Sequence, residues 1–243
     1  MKKIFLALSV FLFFASNCFA GLPSSEYSSD ANTQLLLHMN GTDGSTTFTD
    51  SGNTVHTVTA VGNAQIDTAQ SKFGGASGLF DGTGDYLSIP DHADWYFGSG
   101  DFTVDFWFRK PGTSDVDLFG QGAFGVTTGN LFGGTWHSLH YVYFSNGSAW
   151  KSITGNITLA ANTWYHYAIV RNGNTLTAYI DGIADGSVDV TGVTGVDAAA
   201  PWLIGTFNGG IDFNGWIEEF RISKGIARWT SNFATDRRII FAQ

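Results

Sequence analysis

Residues 136–150, WHSLHYVYFSNGSAW, pack rings and polar groups into one short stretch. Sugars present apolar C–H faces that stack on aromatic rings, and hydroxyls that need Asp, Asn or Arg partners. Trp136 and Trp150 border turn residues, where exposure is expected, and Tyr143 lies between them; these three are the candidates for stacking. A second stretch, 102–109, alternates. Phe102, Val104, Phe106 and Phe108 fall on one face of a strand, and Thr103, Asp105, Trp107 and Arg109 on the other. Asp105 and Arg109 are the candidate polar contacts to a ligand. The plain alternative for each ring is a place in a β core, where most Trp and Tyr side chains are found.

Residues that could do covalent chemistry are scarce. The only glutamates are Glu26, Glu218 and Glu219. Glycoside hydrolysis needs two carboxyl groups about 5 Å apart, or further for inversion. Glu218 and Glu219 are adjacent, so strand alternation sends them to opposite faces. Asp115 and Asp117 have the right period of two, but aspartate recurs at turns throughout the chain. No Gly-x-Ser-x-Gly elbow is present. His166, Tyr167, Arg171 and Gln121 supply the residue types of a lyase groove without a motif. His137 and His140 stand three apart and His166 lies one strand away; zinc needs three converging ligands, so these are read as locally satisfied strand histidines.

The elements that must position these groups are short strands. The chain holds 31 glycines, 21 phenylalanines, 8 tryptophans and 8 tyrosines against 4 prolines. Glycine permits tight turns and aromatic rings fill β cores. Residues 34–39, 54–59 (TVHTVT), 139–144, 164–170, 176–180, 202–205 and 216–222 read as strands or β-branched runs, with no long 3.6-residue pattern between them. Residues 79–81 and 86–89 flank Gly82-Thr83-Gly84-Asp85 and read as a hairpin-like corner. Asn172-Gly173 predicts a type I′ hairpin. Together these predict an all-β, two-sheet antiparallel jelly-roll sandwich.

The first twenty residues have a Lys2-Lys3 start, an apolar run from 4 to 15 and a small-residue site at Ala20, the pattern of a secretory signal peptide. The expected organisation is a signal peptide at 1–20, a flexible leader at 21–33 and a single domain at 34–243. The expected location is outside the cell or in the periplasm, of bacterial type, without stable membrane insertion once the signal is removed. Cleavage removes Cys18, the only cysteine, so no disulfide is expected. The net charge of −9 argues against nucleic acid and fits neutral ligands or divalent cations.

Ser71-Lys72-Phe73-Gly74-Gly75, Phe80-Asp81-Gly82, Asp85-Tyr86-Leu87, Gly100-Asp101-Phe102-Thr103, Trp164 with His166, Tyr179-Ile180-Asp181-Gly182 and residues 216–228 together resemble laminin-G-like domains of the concanavalin A-like lectin/glucanase superfamily. The resemblance runs from about Leu35 to Phe233. It implies a jelly roll that binds glycans or surface proteins, with calcium as a structural cofactor. By resemblance, Glu218 supplies the acidic ligand of the final strand, and Asn40 and Gly82 supply carbonyls, with Asp43 or Asp50 as alternative donors. The family more often has Asp where this chain has Glu218. The expected function is a secreted, non-catalytic, carbohydrate-binding domain whose partner is a glycan or cell-surface polysaccharide. The alternatives are a polysaccharide hydrolase or lyase of the same fold, and an adhesive surface protein that binds another protein.

Overall fold

The computed structural model describes residues 26–122, 130–207 and 210–235. The expected signal peptide and the first part of the leader lie outside them. In chain order the strands are β1 (Thr33–Leu37), β2 (Thr59–Val61), β3 (Gln65–Asp67), β4 (Ser77–Asp81) and β5 (Tyr86–Ile89). One turn of 3-10 helix follows at Ala93–Trp95. Then come β6 (Phe102–Arg109), β7 (Val116–Gln121), β8 (Leu131–Trp136), β9 (Leu139–Ser145) and β10 (Trp150–Thr154). The last are β11 (Trp164–Asn172), β12 (Thr175–Ile180), β13 (Ile183–Asp189), β14 (Trp202–Ile204) and β15 (Asn214–Lys224).

They form two antiparallel sheets, a jelly-roll-like sandwich. The eight-stranded sheet runs β13-β12-β11-β6-β15-β4-β3, with β1 also on β15; the seven-stranded sheet runs β10-β9-β8-β7-β14-β5-β2. The alternation in β6 is met: Phe102, Val104, Phe106 and Phe108 are fully buried between the sheets. Phe106 meets Phe119 edge-on at 5.7 Å and Phe102 meets Phe144 at 5.6 Å, so aromatic rings tie the two sheets together.

Three local expectations are corrected. Residues 79–81 and 86–89 do not form a hairpin, because β4 and β5 belong to different sheets. The corner between them carries the chain across the sandwich. Gly82 and Gly84 supply left-handed backbone (φ 83° and 76°), and the buried Asp85 carboxylate accepts the Asp81 and Asn63 amides at 2.8 and 2.5 Å. In 54–59 only Thr59 is in a strand; the His56 amide is bound by the Asp50 carboxylate at 2.9 Å instead of by a neighbouring strand. The β11–β12 hairpin exists, but Asn172 pairs with Thr175 and the turn is Gly173-Asn174. Gly173 alone has positive φ (56°), which suits a type II′ turn rather than I′.

Candidate functional site

The outward faces of the two sheets differ. On the seven-stranded sheet, β7 to β10 carry a groove of about 500 Å³. Two strand glycines make room for the side chains that line it. A Cβ at Gly134 would meet the Val116 carbonyl at 2.1 Å and the Tyr141 hydroxyl at 2.8 Å. One at Gly120 would meet the Phe207 ring at 2.2 Å and Phe132 at 2.7 Å. Glycine inside a strand removes the side chain and lets rings lie flat on the sheet. Phe132 stacks on Tyr143 at 5.0 Å and on Phe207 at 4.2 Å, and Trp150 stands edge-on to Phe132 at 5.1 Å. Trp136 and Ile211, 51% and 47% exposed, line the groove; both are among the few large apolar side chains exposed in the described residues. Pockets of this size with apolar walls and a few polar groups are typical of small-ligand sites.

Local geometry explains how Trp136 is presented. It closes β8, and the turn to β9 is His137-Ser138, both left-handed (φ 50° and 63°). That is the pattern of a type I′ turn, at a cost of roughly 1–2 kcal/mol for each non-glycine residue. The Asp115 carboxylate offsets part of that cost by accepting the His137 amide at 2.6 Å. The polar groups of the groove are also fixed. Tyr141 donates its hydroxyl to the Asp117 carboxylate, which accepts the Ile211 amide at 3.1 Å. Burial raises the Asp117 carboxyl above its ordinary range against the Tyr141 hydrogen bond, and burial next to Asp117 likewise raises the Tyr141 hydroxyl. Thr135, on the groove wall, accepts the buried Lys110 ammonium at 2.7 Å; burial lowers that lysine to about 8. Among the described residues no basic side chain lines the groove itself.

The outward face of the eight-stranded sheet is covered. Asp105 is fully buried and holds Arg221 through two hydrogen bonds of 3.0 and 2.9 Å. Burial pushes the Asp105 carboxyl up; Arg221 and His166 outweigh it and keep the group at about 2. Residues from both ends of the described chain cap this pair. The Tyr27 ring lies 4.0 Å from the Arg221 guanidinium and its hydroxyl is 2.8 Å from His166 Nε2. Trp229 and Phe233 stack at 4.0 Å and pack over Ala168, Val170 and Tyr179. The residues from 26 to 32, expected within a flexible leader, are therefore fastened to the sheet. The sequence-based grouping of Asp105 and Arg109 with Trp136, Trp150 and Tyr143 is corrected: they stand on different sheets. Arg109 lies 5.1 Å from the Trp216 ring. Trp136 and Tyr143 line the groove, and Trp150 backs Phe132.

The calcium set implied by resemblance does not converge. Glu218 is buried and accepts the Lys72 and Phe73 amides at 2.5 and 2.7 Å. Asn40 lies near it, joined to Glu26 at 2.8 Å. Gly82 sits against Asn214 at the far end of β4, and Asp43 accepts the Thr68 amide at 3.0 Å. Asp50 is occupied by the Leu36, Gly52 and His56 amides. The donors expected together thus lie at separate places, and the carboxylate oxygens that calcium requires are held by peptide N–H groups.

Glu218 and Glu219 do not take opposite faces either. Pairing of β15 with β6 shifts register between Glu218 and Arg221, and Glu219 has φ 55°. The extra residue of this bulge turns both carboxylates outward. Glu219 accepts the Tyr27 amide at 2.6 Å and lies 2.8 Å from His38 Nδ1. Burial, with Glu219 and Glu26 nearby, raises Glu218 to about 8 against its two peptide hydrogen bonds. The loose lyase set is dispersed. His166 lies under Tyr27, Tyr167 donates to the Tyr141 carbonyl from the core, Arg171 donates to the Gly98 and Val193 carbonyls, and Gln121 to those of Ala198 and Ala200.

Residues 81–228 match the family model for the concanavalin A-like lectin/glucanases superfamily, and the chain belongs to that family. No curated protein matches the chain in sequence. Similar solved structures include the binding domain of Paraclostridial Mosquitocidal Protein 1, at 17% identity and TM-score 0.63 over 80% of this chain and 49% of that one. Another is the botulinum neurotoxin serotype D ligand binding domain in complex with N-acetylneuraminic acid, at 16% identity and TM-score 0.63 over 81% and 48%. A third is the binding domain of botulinum neurotoxin DC in complex with SialylT, at 15% and 0.61 over 81% and 49%. The chain spans about half the length of these structures, and at such identity the likeness is one of fold.

Proposed function

We propose that this protein is a lectin-like binding domain, acting outside the cytoplasm, that holds a glycan in the β7–β10 groove. The observation that carries this is an aromatic groove with Trp136 exposed at its rim and Tyr143 on its wall. Sugar C–H faces would stack on these rings, with hydroxyls meeting the Tyr141–Asp117 pair. The described lining has one carboxylate and no cation, which favours neutral glycans over sialylated ones. Solved structures of the same fold in complex with SialylT and with N-acetylneuraminic acid support glycan recognition as the class of activity. Binding without catalysis is favoured because Asp115, Asp117, Glu218 and Glu219 are all engaged in local hydrogen bonds. Among the described residues no helix is long and apolar enough to cross a membrane.

The test is a panel of neutral and acidic glycans presented to the purified chain, with calcium and with EGTA. Retention of neutral glycans that survives EGTA is expected, since the groove's one carboxylate is committed to Tyr141 and Ile211. Retention only with calcium would overturn that part of the proposal. No retention at all, with capture of a protein from deglycosylated cells, would replace it with the adhesive alternative. Release of reducing ends or unsaturated products would replace it with an enzyme.

A further inference from the structure

At the other end of the seven-stranded sheet, beside β5 and β2, three side chains converge that neither the family nor the groove accounts for. The ligand atoms of His56, His92 and Asp94 all lie within 4.8 Å of one another. Asp94 Oδ2 is 3.1 Å from His56 Nε2 and 3.0 Å from His92 Nδ1. The Asp94 amide also points to His92 Nδ1, at a longer 3.3 Å. Contacts of 3.0–3.1 Å between ring nitrogen and carboxylate oxygen are satisfied by a proton or by a metal ion shared among the three groups.

The surroundings hold this cluster in place. The buried Asp50 carboxylate fixes the His56 amide, and the His56 ring packs on Trp95 at 4.6 Å. Trp95 is itself buried, with its indole N–H on the Pro90 carbonyl at 3.0 Å. The ammonium of Lys224, a basic group that touches this turn, is engaged by the Ala93 carbonyl at 2.7 Å.

We propose that His56, His92 and Asp94 bind a divalent transition-metal ion, zinc in the first instance. Two imidazoles and one carboxylate suit zinc and its neighbours, whereas calcium and magnesium prefer oxygen alone. Tetrahedral bonds of 2.0–2.2 Å place ligand atoms about 3.3 Å apart, so the present 3.0–3.1 Å contacts need only small outward shifts. The His92 side chain is 46% exposed, which leaves the fourth position to water. Such an ion joins the loop after Asp50 to the turn after β5, in a chain whose only cysteine cannot form an internal disulfide.

The experiment is zinc titration of the untagged, chelator-treated full chain by calorimetry, with melting followed in parallel. One zinc per chain, a higher Tm with zinc and no competition by calcium are expected. His92→Ala should weaken zinc binding at least about tenfold, the loss that even outer-shell changes cause. Asp94→Asn, which keeps side-chain shape, should do the same. Cobalt(II) should give visible d–d bands that vanish in a His56→Gln/His92→Ala variant. Zinc uptake that is unchanged in either folded single variant, or absent from the wild-type chain, would overturn the proposal. Glycan retention is read separately, because the groove lies at the opposite end of the same sheet.

Discussion

The two sheets carry similar residues on their outward faces and use them in opposite ways. On the eight-stranded sheet Asp105, His166 and Trp107 sit under Tyr27, Phe73, Trp229 and Phe233. On the seven-stranded sheet Asp117, Tyr141, Tyr143 and Trp136 border open space. A charged and aromatic strand face is therefore no guide to exposure by itself; what decides is whether another segment of chain lies across it. On the covered face charge is neutralised by charge and the rings become a second small core. On the open face the carboxylate is held by a phenol and a peptide amide, and ring surface stays available.

The comparison breaks most visibly at Asp105. Asp105→Ala leaves Arg221 buried without its partner and should cost about 3–5 kcal/mol in denaturant unfolding. An effect below about 1 kcal/mol would mean that the covering segments do not seal that face.

The next largest effect is in pH. Glu218 is raised to about 8, so the folded state holds its proton where the unfolded chain has lost it. Its contribution to stability is full below the ordinary glutamate range and is lost as pH rises through about 8. Glu218→Gln should flatten the fall in unfolding free energy between about pH 5 and 8. An unchanged slope would assign that fall to other groups.

The smallest effect on stability should accompany the clearest effect on binding. Trp136→Ala should change unfolding free energy by only about 0.5 kcal/mol. It should nevertheless weaken glycan retention about tenfold, the scale of about 1.4 kcal/mol for a central stacking contact. Equal loss in Asp105→Asn, compared among folded molecules, would erase the distinction between the two faces.

Much of this was legible in the residues. The alternation in 102–109 identified the core face of β6, and Trp136 beside its turn was correctly expected to be exposed. Tyr143, singled out by the ring density in 136–150, lines the groove. Other features depend on contacts distant in sequence. One extra residue at Glu219 reverses strand alternation, and nothing local marks it because Glu219 is not a glycine. The coverage of Asp105 depends on Tyr27 and Arg221, 78 and 116 residues away in sequence respectively. The strand glycines Gly120 and Gly134 were a usable signal for close approach of side chains to the sheet, and so for Phe132, Phe207 and Asp117 beside them. His56 was placed in a β-branched run, which hid its approach to His92 and Asp94.

The segments around Tyr27 and Phe233 both lie on the outside of the eight-stranded sheet. The described chain thus enters and leaves on the back of the sandwich. A bead or label attached beside Tyr27 or Phe233 therefore sits behind the molecule, with the groove of the opposite sheet facing away from it. Immobilisation at those positions should therefore leave the groove open to solvent.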